Sequence, residues 1–454
     1  MTIRAINPTT GEVIASYDEM TPDKLREIID GAHQAFLGWR RVSLSERARP
    51  MRKAAKILRK SAAEYGRLMA QEMGKPIKDG VAEAQKCATA CDFYAENAER
   101  FLAREMIATE ARRSFVTFNP LGVVLAVMPW NFPFWQVFRF AAPGLMAGNA
   151  AVLKHSSSVP GCALAIEEVF RRAGFPENLF RTLLIGNKQV DAVIENPLVR
   201  AATLTGSGPA GRAVARKAGE MLKKTVLELG GSDPFIVLED ADVASAARTA
   251  ADARLLNSGQ SCIAAKRFIV VDRVAEEFLE RFTAEMLARK VGDPLAPDTQ
   301  VGPQARLDLR RTLHAQVEES VRRGARLLAG GRVPEGPGAF YPATILTAVS
   351  EGMPAFDEET FGPVAAVISA RDEAEALRLA NASAYGLAGS VWSRDRERAE
   401  RLAGELEVGS VFVNGLVKSD PRLPFGGVKR SGYGRELSEY GLREFVNVKT
   451  VWVT

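Results

Sequence analysis

From Leu121 onward the chain alternates short apolar, β-branched runs with helical segments, and this alternation restricts the fold more than any other feature of the sequence. LGVVLAV (121–127), AVLK (151–154), TLLI (182–185), AATLT (201–205) and KTVLEL (224–229) read as strands. The stretches between them, among them 135–148, 160–174 and one beginning at Pro209, carry helical periodicity. Runs that are apolar throughout, rather than at every second position, imply strands covered on both faces, hence a parallel, doubly wound α/β sheet. A second α/β series starts at PFIVL (234–238) and passes through RFIVV (267–271), a helix at 273–290, VAAVISA (364–370), GSVWS (389–393) and SVFVN (410–414). A chain of 454 residues is long enough for two or three domains. Upstream, residues 3–17 read as two short strands around the turn Pro8–Gly11, and residues 22–107 as helices. The last strand, NVKTVWV (447–453), lies beyond the second core and needs a partner, near 121–127 or in another subunit.

The composition excludes several classes of function. Basic residues exceed acidic ones by 60 to 55, a formal charge of +5, and no Lys/Arg run stands out, so a nucleic-acid partner is not expected. The 4 cysteines are too few for a secreted disulfide scaffold; Cys87 and Cys91, one helical turn apart, read as core. No CxxC pair occurs, and no metal site is expected. The N-terminus has no apolar secretion signal and no apolar run has the length of a bilayer span, so a cytoplasmic location without a membrane partner is expected. The 3 histidines occur in neither HExxH nor a nucleophile elbow, and GxxxxGK[ST] is absent. What remains is a cysteine without a nearby histidine base, together with carboxylates and glycine-rich turns.

Two segments carry the chemistry. AATLT is followed by Gly206-Ser207-Gly208-Pro209-Ala210-Gly211 and then a helix, a GxGxxG turn in the strand–turn–helix setting that holds a pyrophosphate on backbone N–H groups. The acidic residue about 20 positions on, where such sites hold a ribose, is Glu228. Asn257-Ser258-Gly259-Gln260-Ser261-Cys262 places a cysteine in a small, polar turn before the strand RFIVV, unlike the apolar setting of a core thiol. A thiolate there can attack an aldehyde carbon; the oxyanion so formed can pass hydride to a nicotinamide and leave a thioester.

The segments INPTTGE, PWNFP (129–133), LTGSGPAG (204–211), LELGG (227–231), NSGQSC (257–262), EETFGPV (358–364) and PFGGVKRSGYGRE (424–436) resemble, in order and over nearly the whole chain, the motifs of the aldehyde dehydrogenase superfamily. LKHSS, ELGGSDPF and SDPRLPFGG are most similar to its short succinate-semialdehyde dehydrogenase-like branch. The resemblance implies an NAD(P)-dependent enzyme in which Cys262 is the nucleophile, Asn131 and the Cys262 N–H stabilise the oxyanion, and Glu228 activates water for thioester hydrolysis. That role competes with the ribose-binding one for Glu228 and is the stronger of the two. It also implies cofactor contacts from Trp130, Lys154, Gly206, Ser207, Gly211, Leu229, Glu359 and Phe361. Where many relatives carry a glutamate after the Lys154 strand, this chain has Ser157. Loss of that carboxylate removes repulsion against a 2′-phosphate, so NADP is expected ahead of NAD; the plainer alternative is that Ser157 caps the following helix.

For the substrate, relatives that use succinate semialdehyde place an arginine at the position of Arg139, on the helix after PWNFP. A guanidinium among Phe134, Trp135, Val137, Phe138 and Phe140 needs an anionic partner. That partner is either a substrate carboxylate or an internal salt bridge. Ser261 and Ser419 are expected as further polar contacts; Trp135 and Phe425 serve as apolar walls or as core. The expected reaction is oxidation of a short ω-carboxy aldehyde, succinate semialdehyde first, with glutarate semialdehyde or a neutral aldehyde as alternatives. A CoA-acylating relative, a non-catalytic scaffold and a redox-sensing role for Cys262 also use this fold; retention of Cys262, Glu228, Asn131 and Lys154 argues for hydrolytic catalysis. The implied division is a cofactor domain (1–107 and 127–229), a catalytic domain (230–424) and a small β oligomerisation element (108–126 and 425–454). The tail strand would add to a neighbouring subunit's sheet in a homodimer or homotetramer.

Overall fold

The computed structural model describes residues 2–454. Its first large sheet has the strand order Gly432–Tyr433, Lys224–Glu228, Val199–Thr205, Val123–Met128, Ala150–His155, Phe180–Thr182. All neighbours run parallel except the Gly432–Tyr433 edge. The chain enters at Val123–Met128, moves outward through two strands, then crosses back to Val199–Thr205 on the other side. This reversal opens a crevice at the carboxyl ends of Val123–Met128 and Val199–Thr205, where doubly wound folds bind their ligands. The expected strand at 182–185 ends at Thr182, because Leu183 leaves the sheet after one bond to the Leu153 carbonyl.

The second sheet has the order Arg326–Ala329, Thr344–Thr347, Val364–Ala370, Arg267–Val271, Pro234–Val237, Ala388–Trp392, Ser410–Val413, parallel but for the first strand. Successive residues of its central strands feed separate cores. Ile236, Ile269 and Ile368 pack on one face, Phe235, Phe268 and Val367 on the other. That two-sided burial is why these runs are apolar throughout. The helix Leu307–Arg322 and the strands Arg326–Ala329 and Thr344–Thr347 are not evident in the sequence; the strands are short, and Arg326–Ala329 is a half-exposed edge with weak alternation.

The tail strand, Val446–Val453, has its partner in its own chain. It pairs antiparallel with Arg113–Pro120, which in turn pairs with Glu105–Ile107. Among the described residues the outer edge of the tail strand has no strand partner, and Val448 and Trp452 are exposed. Residues 105–107 are therefore strand rather than helix, Val123–Met128 belongs wholly to the first sheet, Gly432–Tyr433 joins that sheet's edge, and Val428–Lys429 pairs with Tyr385–Gly386. No helix among the described residues is long and apolar enough to cross a membrane.

Candidate active site

Cys262 is presented by a turn that the fold holds from several sides. The helix Val243–Leu255 ends, and Asn257, Ser258 and Gly259 then adopt φ of 53°, 58° and 76° in succession. At the two non-glycine positions this left-handed backbone costs about 1–3 kcal/mol each and is held by the surrounding structure. Asn257 Nδ2 donates to the Asn131 carbonyl (2.7 Å) and the Gln260 carbonyl (3.1 Å), Arg254 to the Gly259 carbonyl (2.8 Å), and the Gly302 N–H to Ser258 Oγ (2.8 Å). A Cβ at Gly259 would strike the Gly362 carbonyl, so only glycine fits there. Beyond the cysteine, the buried Lys266 ammonium donates to the carbonyls of Ser261, Cys262 and Ala264 at 3.0, 2.8 and 2.9 Å.

The thiol is half-buried, and burial pushes it up to about 12 against the pull of Arg139 and Lys266. At rest it is protonated. Asn131 comes to it from the end of Val123–Met128: its Nδ2 donates to the Gln260 carbonyl (3.1 Å), leaving its second N–H free, and its Oδ1 has no partner among the described residues. Glu228 ends its strand 2% exposed with both oxygens unpartnered. Burial, with Glu436 nearby, drives its carboxyl well above the ordinary range, while Arg139 opposes the shift. When ionised, a carboxylate in such a setting is a stronger base than one in water, as activation of water requires. No histidine stands in for it: His155 Nδ1 accepts from the Ser156 N–H (2.9 Å), its Nε2–H donates to the Pro133 carbonyl (2.9 Å), and burial lowers it to about 4, so it braces the 129–133 loop as a neutral ring.

In front of the thiol lies a cavity of about 120 Å³ lined by Cys262, Ser261, the rings of Phe132, Trp135 and Phe425, and the cations Lys86, Arg139 and Lys418, with no acidic side chain. Trp135, Arg139, Ser261, Ser419 and Phe425 are thus brought together as expected. Of the two partners expected for Arg139, the internal one is present: its Nε pairs with Glu436 and its Nη2 donates to Thr205 Oγ1 (3.2 Å), while the guanidinium lies 4.6 Å from the Phe425 ring centre and still lines the cavity. The counter-ion arrives on a segment where Phe425 and Glu436 bridge antiparallel, and no spacing in the sequence brings that segment to the helix Trp135–Ala147. The internal salt bridge is the arrangement present. Lys86 and Glu436 are the site residues that sequence reasoning missed. Glu436 lies inside a recognised motif with no role read from it, and Lys86 sits on a helix taken only as scaffold.

The cofactor side gathers around the crevice. Gly206 N–H donates to the Glu228 carbonyl (2.9 Å), and Ser207, exposed at the start of the helix Gly208–Glu220, makes no capping bond. A Cβ on Gly211 would lie 2.6 Å from Leu229 Cδ2, so this glycine serves close helix–strand packing. Trp130 and Phe361 meet edge-on at 5.7 Å, and Glu359 accepts the Gly231 N–H (3.0 Å). Lys154 ends its strand, donates to Asn187 Oδ1 (2.7 Å), and is held below the usual lysine range by burial. Ser157 is exposed and caps nothing: Glu72 takes the N–H groups of Gly161 and Cys162 at the start of the next helix. The helix-cap alternative for Ser157 therefore falls. Beside Gly208 and Leu229 opens a groove of about 740 Å³ that carries Arg212, Lys429 and Arg430 and no acidic side chain, a setting that fits a phosphate-bearing dinucleotide.

Residues 1–451 match the aldehyde dehydrogenase family. The chain is 51% identical, over the full length of both, to a probable NADP(+) succinate-semialdehyde dehydrogenase of Synechocystis, and 48% identical, again over both full lengths, to succinate-semialdehyde dehydrogenase [NADP(+)] 1 of Mycobacterium tuberculosis. Among solved structures it superposes on the succinic semialdehyde dehydrogenase of Streptococcus pyogenes, determined with NADP+, with a TM-score of 0.97, 38% identity and 99% of each chain covered. A cysteine on a strained turn, an amide donor beside it and a buried carboxylate next to a dinucleotide crevice thus coincide with full-length likeness, and the chain belongs to the aldehyde dehydrogenase family.

Proposed function

We propose that this chain oxidises succinate semialdehyde to the dicarboxylic acid with NADP, through a thioester on Cys262. The observation that carries the substrate is the cavity in front of the thiol: aromatic walls, cations and no acid suit a short aldehyde that ends in a carboxylate. The names of the relatives at 48–51% identity agree with it. For the cofactor, Lys154 without an acidic partner and Ser157 without a carboxylate favour a 2′-phosphate over a 2′-hydroxyl.

Each residue then has a defined task. Cys262, deprotonated as substrate binds, forms a bond to the carbonyl carbon, and the resulting oxyanion takes N–H donation from Asn131 Nδ2 and the Cys262 backbone. Each such donor is worth about 3–4 kcal/mol. The bound nicotinamide dinucleotide supplies the two-electron acceptor that converts this adduct to the thioester. Glu228 removes a proton from the water that attacks the thioester carbon, the C–S bond breaks and the acid leaves. Arg139, locked to Glu436, acts through its charge on Cys262 and Glu228. Trp130, Ser207, Glu359 and Phe361 orient the dinucleotide.

The division into cofactor domain, catalytic domain and small β element goes with this reading, with Phe425 and Glu436 of the C-terminal segment contributing to the active site. The exposed edge of Val446–Val453, with Val448 and Trp452, serves homo-oligomer contact. Initial rates with NADP and NAD against succinate semialdehyde, glutarate semialdehyde and butanal test the assignment. The highest kcat/KM belongs to succinate semialdehyde with NADP; a neutral aldehyde or NAD in that place contradicts it.

A further inference from the structure

Lys266 stands just before the strand Arg267–Val271, and its side chain turns back to the Cys262 turn. Its backbone is fixed on both sides: the N–H donates to the Asp233 carbonyl (3.0 Å) and the carbonyl accepts the Ala366 N–H (3.0 Å). The fully buried ammonium donates to the carbonyls of Ser261, Cys262 and Ala264 at 3.0, 2.8 and 2.9 Å. An ammonium has three N–H groups, so all are committed, and only the protonated form can serve three acceptors at once. Its charge is offset within the protein, since Glu359 Oε1 lies 3.9 Å away and the buried Asp233 carboxylate also acts on it. A buried ion with its hydrogen bonds made and carboxylates near is already compensated. Lys266 therefore serves the turn rather than a ligand.

Two of these carbonyls belong to the peptide units on either side of the Cys262 Cα. In a planar trans peptide the C=O and the following N–H point in opposite directions. Holding the Ser261 carbonyl on Lys266 thus turns the Cys262 N–H to the other side of its peptide plane. That N–H has no acceptor among the described residues. The Lys266 side is closed by backbone: a Cβ on Gly231 would lie 2.7 Å from the Cys262 carbonyl oxygen and 3.0 Å from Asp233 Oδ1. Ser261 and Cys262 both line the thiol cavity, and Asn131 Nδ2 sits on the neighbouring Gln260 carbonyl (3.1 Å). Resting on the oxyanion role given above to the Cys262 N–H, we propose that Lys266 is a positioning residue for the reaction. By holding the Ser261 and Cys262 carbonyls it aims the Cys262 N–H at the place where the aldehyde oxygen becomes negative.

This role is separable from the effect of a nearby cation. Lys266 and Arg139 favour the thiolate of Cys262, against Glu359 and Asp233, so loss of the ammonium slows every reaction of the sulfur. The direction of the N–H matters only where an oxyanion forms. Alkylation by iodoacetamide makes a C–S bond at a saturated carbon while the C–I bond breaks and iodide leaves, and no oxyanion arises. Attack on an aldehyde makes one. The quotient of the two rates isolates the direction of the N–H from the charge on the thiol.

The test sets the single-turnover rate of NADPH formation, with NADP-saturated enzyme in excess of succinate semialdehyde, against the rate of Cys262 alkylation by iodoacetamide at the same pH and with NADP present. Lys266→Met lowers the quotient of the first to the second about 10–100-fold, less than removal of an oxyanion donor because the N–H is misdirected rather than lost. A quotient that stays at the parent's value, whether both rates fall together or neither changes, overturns the inference and leaves the assigned reaction standing. If Lys266→Met does not fold, Lys266→Gln, whose amide donates without the charge, carries the same test. Its quotient falls by a smaller factor, and an unchanged quotient overturns the inference. A parent enzyme that forms no NADPH from succinate semialdehyde overturns the assigned reaction itself, and this inference with it.

Discussion

The cofactor crevice and the aldehyde cavity share a wall but are built by different means. The crevice is made of residues at and just past the strand ends of one parallel sheet: Trp130 and Asn131 after Val123–Met128, Lys154 at the end of Ala150–His155, Gly206–Gly211 after Val199–Thr205, and Glu228–Leu229 at the end of Lys224–Glu228. Its specificity rests on backbone and glycine spacing. The cavity is made of side chains from distant segments: Lys86 from one helix, Arg139 from another, Cys262 from a strained turn and Ser419 from a loop, with Glu436, from near the C-terminus, behind Arg139 as its counter-ion. There the outcome depends on which charge finds which partner. Arg139 has Glu436; Lys86 has only a hydroxyl and a ring. Strand-end geometry repeats along the sequence, and charge pairing does not.

The strongest challenge to this contrast is Arg139→Ala. If Arg139 is chiefly the partner of Glu436, its loss leaves a buried carboxylate uncompensated and lowers stability by about 3–5 kcal/mol in denaturant unfolding. Adding Glu436→Gln recovers part of that loss. Unchanged stability, with only KM for succinate semialdehyde raised, returns Arg139 to the role of anion receptor. Next in size, Asn131→Ala lowers kcat about 10²–10³-fold with little change in KM, as loss of an oxyanion donor should; a pure KM effect makes Asn131 a binding residue.

On the cofactor side, Gly211→Ala brings a Cβ to 2.6 Å from Leu229 Cδ2 and costs about 1–3 kcal/mol of stability in the same unfolding assay. A neutral result there removes close packing as the reason for that glycine. Ser157→Glu is the smallest change: it lowers the NADP/NAD ratio of kcat/KM about tenfold, roughly 1.4 kcal/mol, by restoring repulsion to a 2′-phosphate. An unchanged ratio places the cofactor preference elsewhere.

This division also explains how far the sequence alone is legible. The strands 267–271 and 364–370 are legible to the residue, because burial on both faces leaves runs that are apolar except at Arg267 and Ser369. Asn131, Glu228 and Cys262 are legible because each sits in a compact local motif. The counter-ion of Arg139 is not, since Glu436 reaches it only through the fold. Nor is the importance of Lys86: on a helix it reads as an ordinary surface lysine until the Ser419 loop and Trp135 close over it. The partner of the tail strand is half legible. Its need for one follows from the sequence, with 121–127 or another subunit as the place; Arg113–Pro120 in the same chain pairs one of its edges.

The central claim is that Cys262 carries the acyl group and Glu228 releases it. Glu228→Gln, mixed with NADP and succinate semialdehyde and then quenched, tests this directly by mass spectrometry of the Cys262 peptide. The account predicts a burst of about one reduced cofactor per site, slow turnover thereafter, and a succinyl group on Cys262. Reduced cofactor formed in that burst without an acyl group on Cys262 contradicts it.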